Sequence, residues 1–336
     1  MDNLKFNYQG FRLIAQSTQY DLLEFLSPQL TSILGMDNVD LSKDYLFALG
    51  ELPIMLVAHL DTVHRTLPTQ IYYDESQSII WSPQGIGGDD RCGVYSIITI
   101  LNYLRQNGGK KPSVLFTTFE ETGCIGAGVA SRKISDSMLS HIKYVIELDR
   151  HGEDDCVFYQ CLNMDFQKMV ETYGFKTQHG SASDISKLCP AWDIAGVNLS
   201  IGYLSEHTDK ETVNVSWMMA TIKKTIKMIQ ESESAKKYLY YSKKLPLADN
   251  FSKKKKHGNK GYNYNLPDDE ELAFAMSLRY YFYFSKETGT YTFVDKFTNE
   301  EVPIEIVEEE YLKMKNRDSV VDDVETRGKG YHGRGW

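Results

Sequence analysis

With 336 residues, 42% hydrophobic and 25% charged, the chain has the composition of a soluble globular protein and can bury a sizeable core in one large or two modest domains. No apolar run approaches the ~18 residues of a membrane span. The start, Met1-Asp2-Asn3-Leu4-Lys5-Phe6, lacks the basic and apolar regions of a signal peptide, and the five cysteines (92, 124, 156, 161, 189) have neither disulfide-framework nor paired zinc spacing. Reduced thiols in a cytoplasmic protein are therefore expected. The net charge of −9 is uneven. Residues 236–260 carry nine lysines and one acidic residue, a local +8, so the remainder carries −17. An acidic body argues against general nucleic-acid binding and leaves the Lys253–Lys256 run as the place where an anionic partner could dock.

Residues 11–35 show helical apolar spacing ending at Gly35 and predict one or two amphipathic helices. Asp44–Leu52 reads as an edge strand, and it feeds a central strand over 53–58. Ile71–Trp81 predicts a hairpin turning at Asp74-Glu75-Ser76. Gly93–Leu104 is an amphipathic helix stopped by Asn107-Gly108-Gly109. A buried strand follows over 113–119, then a glycine-bearing turn and short helix over 123–134. A strand over 143–149, a helix over 166–173, a strand over 194–201 and a helix over 215–232 complete the alternation. Strand alternating with helix predicts an α/β fold: three αβα layers around a mostly parallel sheet, spanning 1–235. Beyond it, 236–265 reads as a Lys/Tyr-rich linker or arm. Residues 266–315 form an accessory region with a helix over 268–278 and a β-hairpin pairing 280–284 with 291–294. The charged, glycine-rich 316–336 reads as disordered.

Three apolar runs end in acidic or histidine residues. Leu56-Val57-Ala58-His59-Leu60-Asp61 ends in His-x-Asp, and Val114-Leu115-Phe116-Thr117-Thr118-Phe119-Glu120-Glu121 ends in a carboxylate pair. Between them, Gly85-Ile86-Gly87-Gly88-Asp89-Asp90-Arg91 is a glycine-rich turn that delivers an aspartate to a helix start. The 143–149 strand ends at Asp149, and the 194–201 strand leads to His207. Carboxylates and imidazoles gathered at one strand edge suit a two-metal site. Asp89 is the natural bridge, His59 with Asp149 serves one ion, and Glu121 with His207 serves the other. Nitrogen and oxygen donors without thiolate favour zinc, with manganese or cobalt as rivals. In an extended strand Asp61 shares a face with His59 and can accept its imidazole N–H. Of Glu120 and Glu121, one is expected to coordinate and the other to act as general base. Glu147 is a rival ligand to Asp149. Asp90 and Arg91 read as supports of the turn, with Arg91 in a salt bridge. His64, His141 and His151 read as surface or loop residues, His151 close enough to Asp149 to line the cleft.

The order His-x-Asp, Gly-Gly-Asp-Asp-Arg-x-Gly, Glu-Glu-x-Gly, strand-terminal Asp and late His resembles the co-catalytic zinc exopeptidase superfamily over roughly residues 10–230. That superfamily includes the carboxypeptidase G-like and tripeptidase T-like enzymes and the leucyl and glutamyl aminopeptidases. The resemblance implies His59, Asp89, Glu121, Asp149 and His207 as ligands of two divalent ions, Glu120 as the base and Asp61 as the orienting residue. It also implies a metal-held hydroxide attacking an amide carbonyl in short peptides. Ser183-Asp184 resembles an element that relatives place near the substrate, making Asp184 a candidate for the substrate amine. Tyr203 and His179 are candidates for stabilising the oxyanion. The 30 residues from His59 to Asp89 and the 58 from Asp149 to His207 leave no room for the inserted or lid domains of some relatives, so a bare catalytic core is expected, with oligomerisation open. The alternatives are an N-acyl amino acid deacylase or amidase on the same site, and a non-catalytic adaptor centred on the Lys/Tyr-rich region.

Overall fold

The structure, a computed structural model, describes residues 4–242 and, further on, strands 280–285, 290–295 and 301–302. The chain divides into two units, Met1–Phe251 and Ser252–Trp336.

In the first unit α1 (Tyr8–Ala15) is capped by Asn7, whose side chain accepts from the Gly10 N–H. α2 (Gln19–Leu34) begins at a capping box in which Thr18 and Asp21 satisfy each other's backbone N–H, and it stops at Gly35 with φ 97°. The short β1 (Val39–Leu41) turns into β2 (Tyr45–Ala48), and β3 (Leu52–His59) runs to the first site motif. The expected hairpin is present as β4 (Tyr72–Asp74) and β5 (Ile79–Trp81), its turn held by Asp74 Oδ1 accepting from the Ser76 and Gln77 N–H groups. α3 spans Gly88–Gln106, but Asp89 and Asp90 at its head are not helical, so the regular turns begin just after them. β6 (Pro112–Thr117), α4 (Ile125–Lys133), α5 (Asp136–Leu139), β7 (Tyr144–Arg150), β8 (Asp155–Val157), α6 (Met164–Glu171) and β9 (Lys176–Thr177) follow. The unit continues through α7 (Ile185–Trp192), β10 (Gly196–Ser200), β11 (Tyr203–Leu204), β12 (Thr212–Asn214) and α8 (Val215–Glu231).

The main sheet has the order β1-β2-β6-β3-β7-β10-β8-β9. β6, β3, β7 and β10 are mutually parallel, whereas β1, β2 and β8 join antiparallel. The outermost strand on one side is thus β1, and β2, read from sequence as an edge, is covered on both sides. Three residues were too few to signal β1. Period-two alternation sorts the core. Leu56, Ala58, Phe116, Ile146 and Leu148 face one side, with residues of α1, α2, α3, α6 and α8. Met55, Val57, Leu115 and Val145 face the other, with residues of α4, α5 and α7. Both faces being covered, the strands are near-continuous apolar runs, and each fully buried large side chain contributes about 1.5–3 kcal/mol. The result is the expected αβα layering.

All five cysteines are free and buried in this unit. Residues 236–241 remain attached to the core: Tyr238 donates its N–H to the Lys143 carbonyl, accepts from the Ala195 N–H, and packs its ring against Tyr144 and Phe166. A four-stranded sheet, β11-β12-β5-β4, stands beside the main one.

In the second unit β13 (Tyr280–Ser285), β14 (Thr290–Asp295) and β15 (Glu301–Val302) form an antiparallel sheet containing the expected hairpin. The expected helix over 268–278, the Lys253–Lys256 run and 316–336 lie outside the described residues. Among the described residues, no helix is long and apolar enough to cross a membrane.

Candidate metal centre

The carboxyl ends of the parallel strands converge at one edge of the sheet, where an open α/β sheet places its ligands. His59 is the last residue of β3, and Asp149 lies near the end of β7. Glu120 and Glu121 follow β6, and Asp89 is brought in by the turn that opens α3. Gly87, with φ 64°, lets that turn reverse where a side chain would be strained.

Asp89 uses its two oxygens in different directions. Oδ1 lies 3.0 Å from His59 Nε2, which is also 3.5 Å from Asp149 Oδ1. Oδ2 lies 3.2 Å from His207 Nε2, which is also 3.0 Å from Glu121 Oε2. One carboxylate therefore joins two donor groups, His59 with Asp149 and Glu121 with His207. Donor atoms of His59, Asp89 and Glu121 all lie within 4.8 Å of one another.

The surroundings hold these groups in place. Asp61 Oδ1 is 3.3 Å from His59 Nδ1, and the same carboxylate accepts the N–H groups of Glu120 (2.9 Å) and Glu121 (3.1 Å). It thus holds the backbone of the carboxylate pair beside the histidine ring. Asp90 is wholly buried and accepts from the His59 N–H (3.2 Å) and the Gly93 N–H (2.9 Å), the turn-supporting role read from sequence. The Asp89–Asp90 peptide is cis. Ser183 donates to Asp149 Oδ2 at 2.9 Å and Tyr203 donates to Asp149 Oδ1 at 3.1 Å.

Electrostatics describe a site rich in negative charge. Burial alone would depress the His59 imidazole, but Asp149, Asp61 and Asp89 override it and hold its pKa well above the usual value. Hydrogen bonds that His207 donates to Asp89 and Glu121 lift it to about 11. Burial, reinforced by Asp149 and Asp184, pushes the Glu120 carboxyl well up. Both histidines are thus drawn toward positive charge by the carboxylates around them, the field that would also attract divalent cations. Glu121 Oε1 is buried without a hydrogen-bond partner, an oxygen suited to an ion. The nitrogen and oxygen donors, with no thiolate in either group, fit zinc-class ions.

Three residues expected to meet substrate are placed differently. Asp184 is wholly buried and accepts from the Thr117 hydroxyl, with its pKa raised to about 7 chiefly by burial. It lies behind Glu120, with which it shares a cluster that includes Cys124. Tyr203 is buried and gives its hydroxyl to Asp149. His179 is exposed, and among the described residues no hydrogen bond or ion pair ties it to the cluster. Glu147 is buried inside the sheet, its carboxyl pushed well up by burial and by Asp149. Arg91, expected in a salt bridge, instead donates to the Leu60 and Ser17 carbonyls, with burial lowering its guanidinium to about 10.

Glu211 was missed. It is buried and accepts from the Asp89 N–H (2.9 Å) through Oε1 and from the Gly87 N–H (2.8 Å) through Oε2. His64 Nε2 lies 3.0 Å from the same Oε2, so this histidine is a part-buried partner of Glu211 rather than a free surface residue. The available signal was an acidic residue entering the Thr212-Val213-Asn214 strand four residues after His207.

An α/β sheet with paired carboxylate–imidazole groups at its carboxyl edge has the donor set that a metallohydrolase core requires. Residues 48–189, which carry four of the five candidate ligands, match Peptidase family M28. No curated protein sequence matches the chain. Among solved structures it is similar to aminopeptidase PepT from Bacillus cereus, at 14% identity and a TM-score of 0.52, covering 67% of this chain and 97% of that one. It is also similar to a tripeptidase from Staphylococcus aureus, at 12% identity and a TM-score of 0.54, covering 68% and 98%. At such identity these likenesses are of fold. Family match, fold and motif order together support the co-catalytic zinc exopeptidase superfamily and a metallopeptidase activity.

Proposed function

We propose that the protein is a two-metal exopeptidase of aminopeptidase or tri/dipeptidase type, removing residues from the amino end of short peptides. The observation that carries this reading is the division of Asp89, one oxygen toward His59 and Asp149, the other toward Glu121 and His207. These five residues would hold two zinc-class cations, which lower the pKa of water and polarise a carbonyl.

The remaining chemistry belongs to the chain. Glu120 is the general base: it takes a proton on its carboxylate from the attacking water and returns it to the departing amine. In the metal-free protein burial and the neighbouring carboxylates raise its affinity for protons, and cations held beside it would lower that affinity. Asp61 fixes the imidazole tautomer of His59 and, through the Glu120 N–H, the backbone of the base. Ser183 and Tyr203 hold the Asp149 carboxylate, and Glu211 holds the backbone at Asp89. Asp184, buried behind Glu120, shapes the base's surroundings.

The test combines elemental analysis with turnover of aminoacyl, dipeptide, tripeptide and N-acyl amino acid substrates by wild type and Glu120→Ala. About two zinc-class ions per chain are expected, with turnover falling by roughly 10²–10⁴ in the variant while metal is retained. Turnover confined to N-acyl substrates would make the enzyme a deacylase. No metal uptake and no turnover after reconstitution with zinc, manganese or cobalt would overturn the proposal.

A further inference from the structure

His207 differs from the other candidate ligands in how it is held. His59, Asp89, Glu121 and Asp149 sit at or just beyond strand ends or at the head of α3. His207 lies in the exposed loop between β11 and β12, and is itself about half exposed. Two non-glycine residues of that loop, Ser205 (φ 58°) and His207 (φ 61°), are left-handed, a conformation that persists only where surroundings enforce it. The hydrogen bonds from Thr208 to the Ser205 carbonyl, and from Lys210 and Glu211 to Thr208, are internal to the loop. Among the described residues, the loop is tied to the rest of the unit on two sides of His207: Glu211, which donates its N–H to the Thr208 carbonyl, is bonded to the turn before α3, and Glu206 is paired with His151.

That second contact is well placed. His151 Nδ1 is 2.5 Å from Glu206 Oε1. His151 follows Asp149 by two residues, and its backbone is fixed: Ser200 donates its hydroxyl to the His151 carbonyl (2.6 Å), and Gly152 and Tyr203 are joined by a backbone bond (2.9 Å). A rigid strand end bearing one ligand is thereby tied to a strained loop bearing another. The pair is about one-third exposed, so as an ion pair it does little for global stability. What it does is local.

We infer that His151 and Glu206 form a clamp that positions His207, and so sets the affinity of the outer cation position made by Asp89 Oδ2, Glu121 and His207. The inference rests on the two-metal reading above. His151 is thus a positioning residue, one step behind the ligand, as a hydrogen-bonded partner of a metal-binding group often is.

The experiment uses the full chain, stripped with a chelator and titrated with Zn²⁺ against a competing chromophoric chelator. Wild type is expected to take two ions. In His151→Ala and in Glu206→Ala the first ion should bind as in wild type and the second about 10–100-fold more weakly. Glu206→Gln, which keeps an oxygen to accept from His151 Nδ1, should stay close to wild type. The thermal midpoint of the metal-free variants should remain within about 2 °C of wild type, which separates a clamp from a merely structural contact. Two ions bound with unchanged affinities in both alanine variants would overturn the clamp alone. Fewer than two ions in wild type would overturn the two-metal reading, and the clamp with it.

Discussion

The most informative single substitution is Glu211→Gln, because it changes one atom in a residue that touches no candidate ligand side chain. Glu211 accepts three hydrogen bonds in a buried setting: Asp89 N–H on Oε1, Gly87 N–H and His64 on Oε2. Glutamine offers one accepting oxygen. Whichever way the amide turns, one of the two backbone N–H groups must face an NH₂, and an orphaned buried donor costs about 1–3 kcal/mol. The other bond loses its charge assistance, about 1 kcal/mol more. Burial raises the Glu211 pKa, and removing a desolvated charge returns part of this loss. The net expectation is a loss of about 2–3 kcal/mol, or roughly 4–12 °C in thermal midpoint for a unit of this size. Urea unfolding in chelator, followed by circular dichroism, reads the difference without metal. The control is Glu231→Gln at the exposed end of α8, expected within about ±0.5 kcal/mol. Zinc affinity should fall as well, because the turn presenting Asp89 is loosened. A Glu211→Gln protein within 0.5 kcal/mol of wild type, with unchanged zinc affinity, would refute the view that Glu211 fixes the bridging aspartate.

Two further outcomes are expected. A Cβ at Gly93 would lie 2.2 Å from the Leu148 carbonyl oxygen and 2.4 Å from Asp90 Oδ2. Gly93→Ala must therefore push apart α3 and β7 beside the site, and a loss above about 3 kcal/mol or insoluble expression should follow, checked by soluble yield and thermal melting. For the metal-free protein, Asp184 binds its proton more tightly folded than unfolded, its pKa being raised to about 7 mainly by burial. The stability from that proton is complete below the unfolded value near 4 and is lost as pH rises through about 7. Melting in chelator at pH 5 and pH 8 should show a smaller drop for Asp184→Asn than for wild type, and equal drops would remove Asp184 as a source of the pH dependence.

The motifs that carry chemistry were legible chiefly because His59, Glu121 and Asp149 sit where, or just past where, an apolar strand run stops. His59 and Asp149 end strands buried on both faces, and such strands advertise themselves as unbroken hydrophobic stretches. Asp89 was legible from the glycines before it. Less visible were elements whose existence depends on partners distant in sequence. β1, β9 and β11 have two or three residues each, too few to show a period, and β1 covers the side of β2 that the sequence reads as an open edge. α7 carries Pro190 inside it and has no side-chain cap, so neither of its ends is signalled. The supporting residues were hidden for another reason. His64 reads as surface in sequence and Arg91 as half of a salt bridge, and only the fold shows that Arg91 is buried against the Leu60 and Ser17 carbonyls, with Glu211 buried against the turn and paired with His64. Tyr203 was recognised as belonging to the site, but what its hydroxyl meets could not be read from spacing.

The five buried thiols supply an internal reporter. They are spread over α3, α4's entry, β8, the 158–163 turn and α7, and the segment from 252 onward contains none. A thiol-reactive probe can therefore modify the chain only when the first unit opens, so its rate samples transient exposure of that unit without interference from the rest. Cys124 lies 3.5 Å from Glu120, and Cys92 is two residues beyond Asp90. Mass mapping of which cysteine reacts first would locate the least protected part of the core and would show whether added zinc closes it.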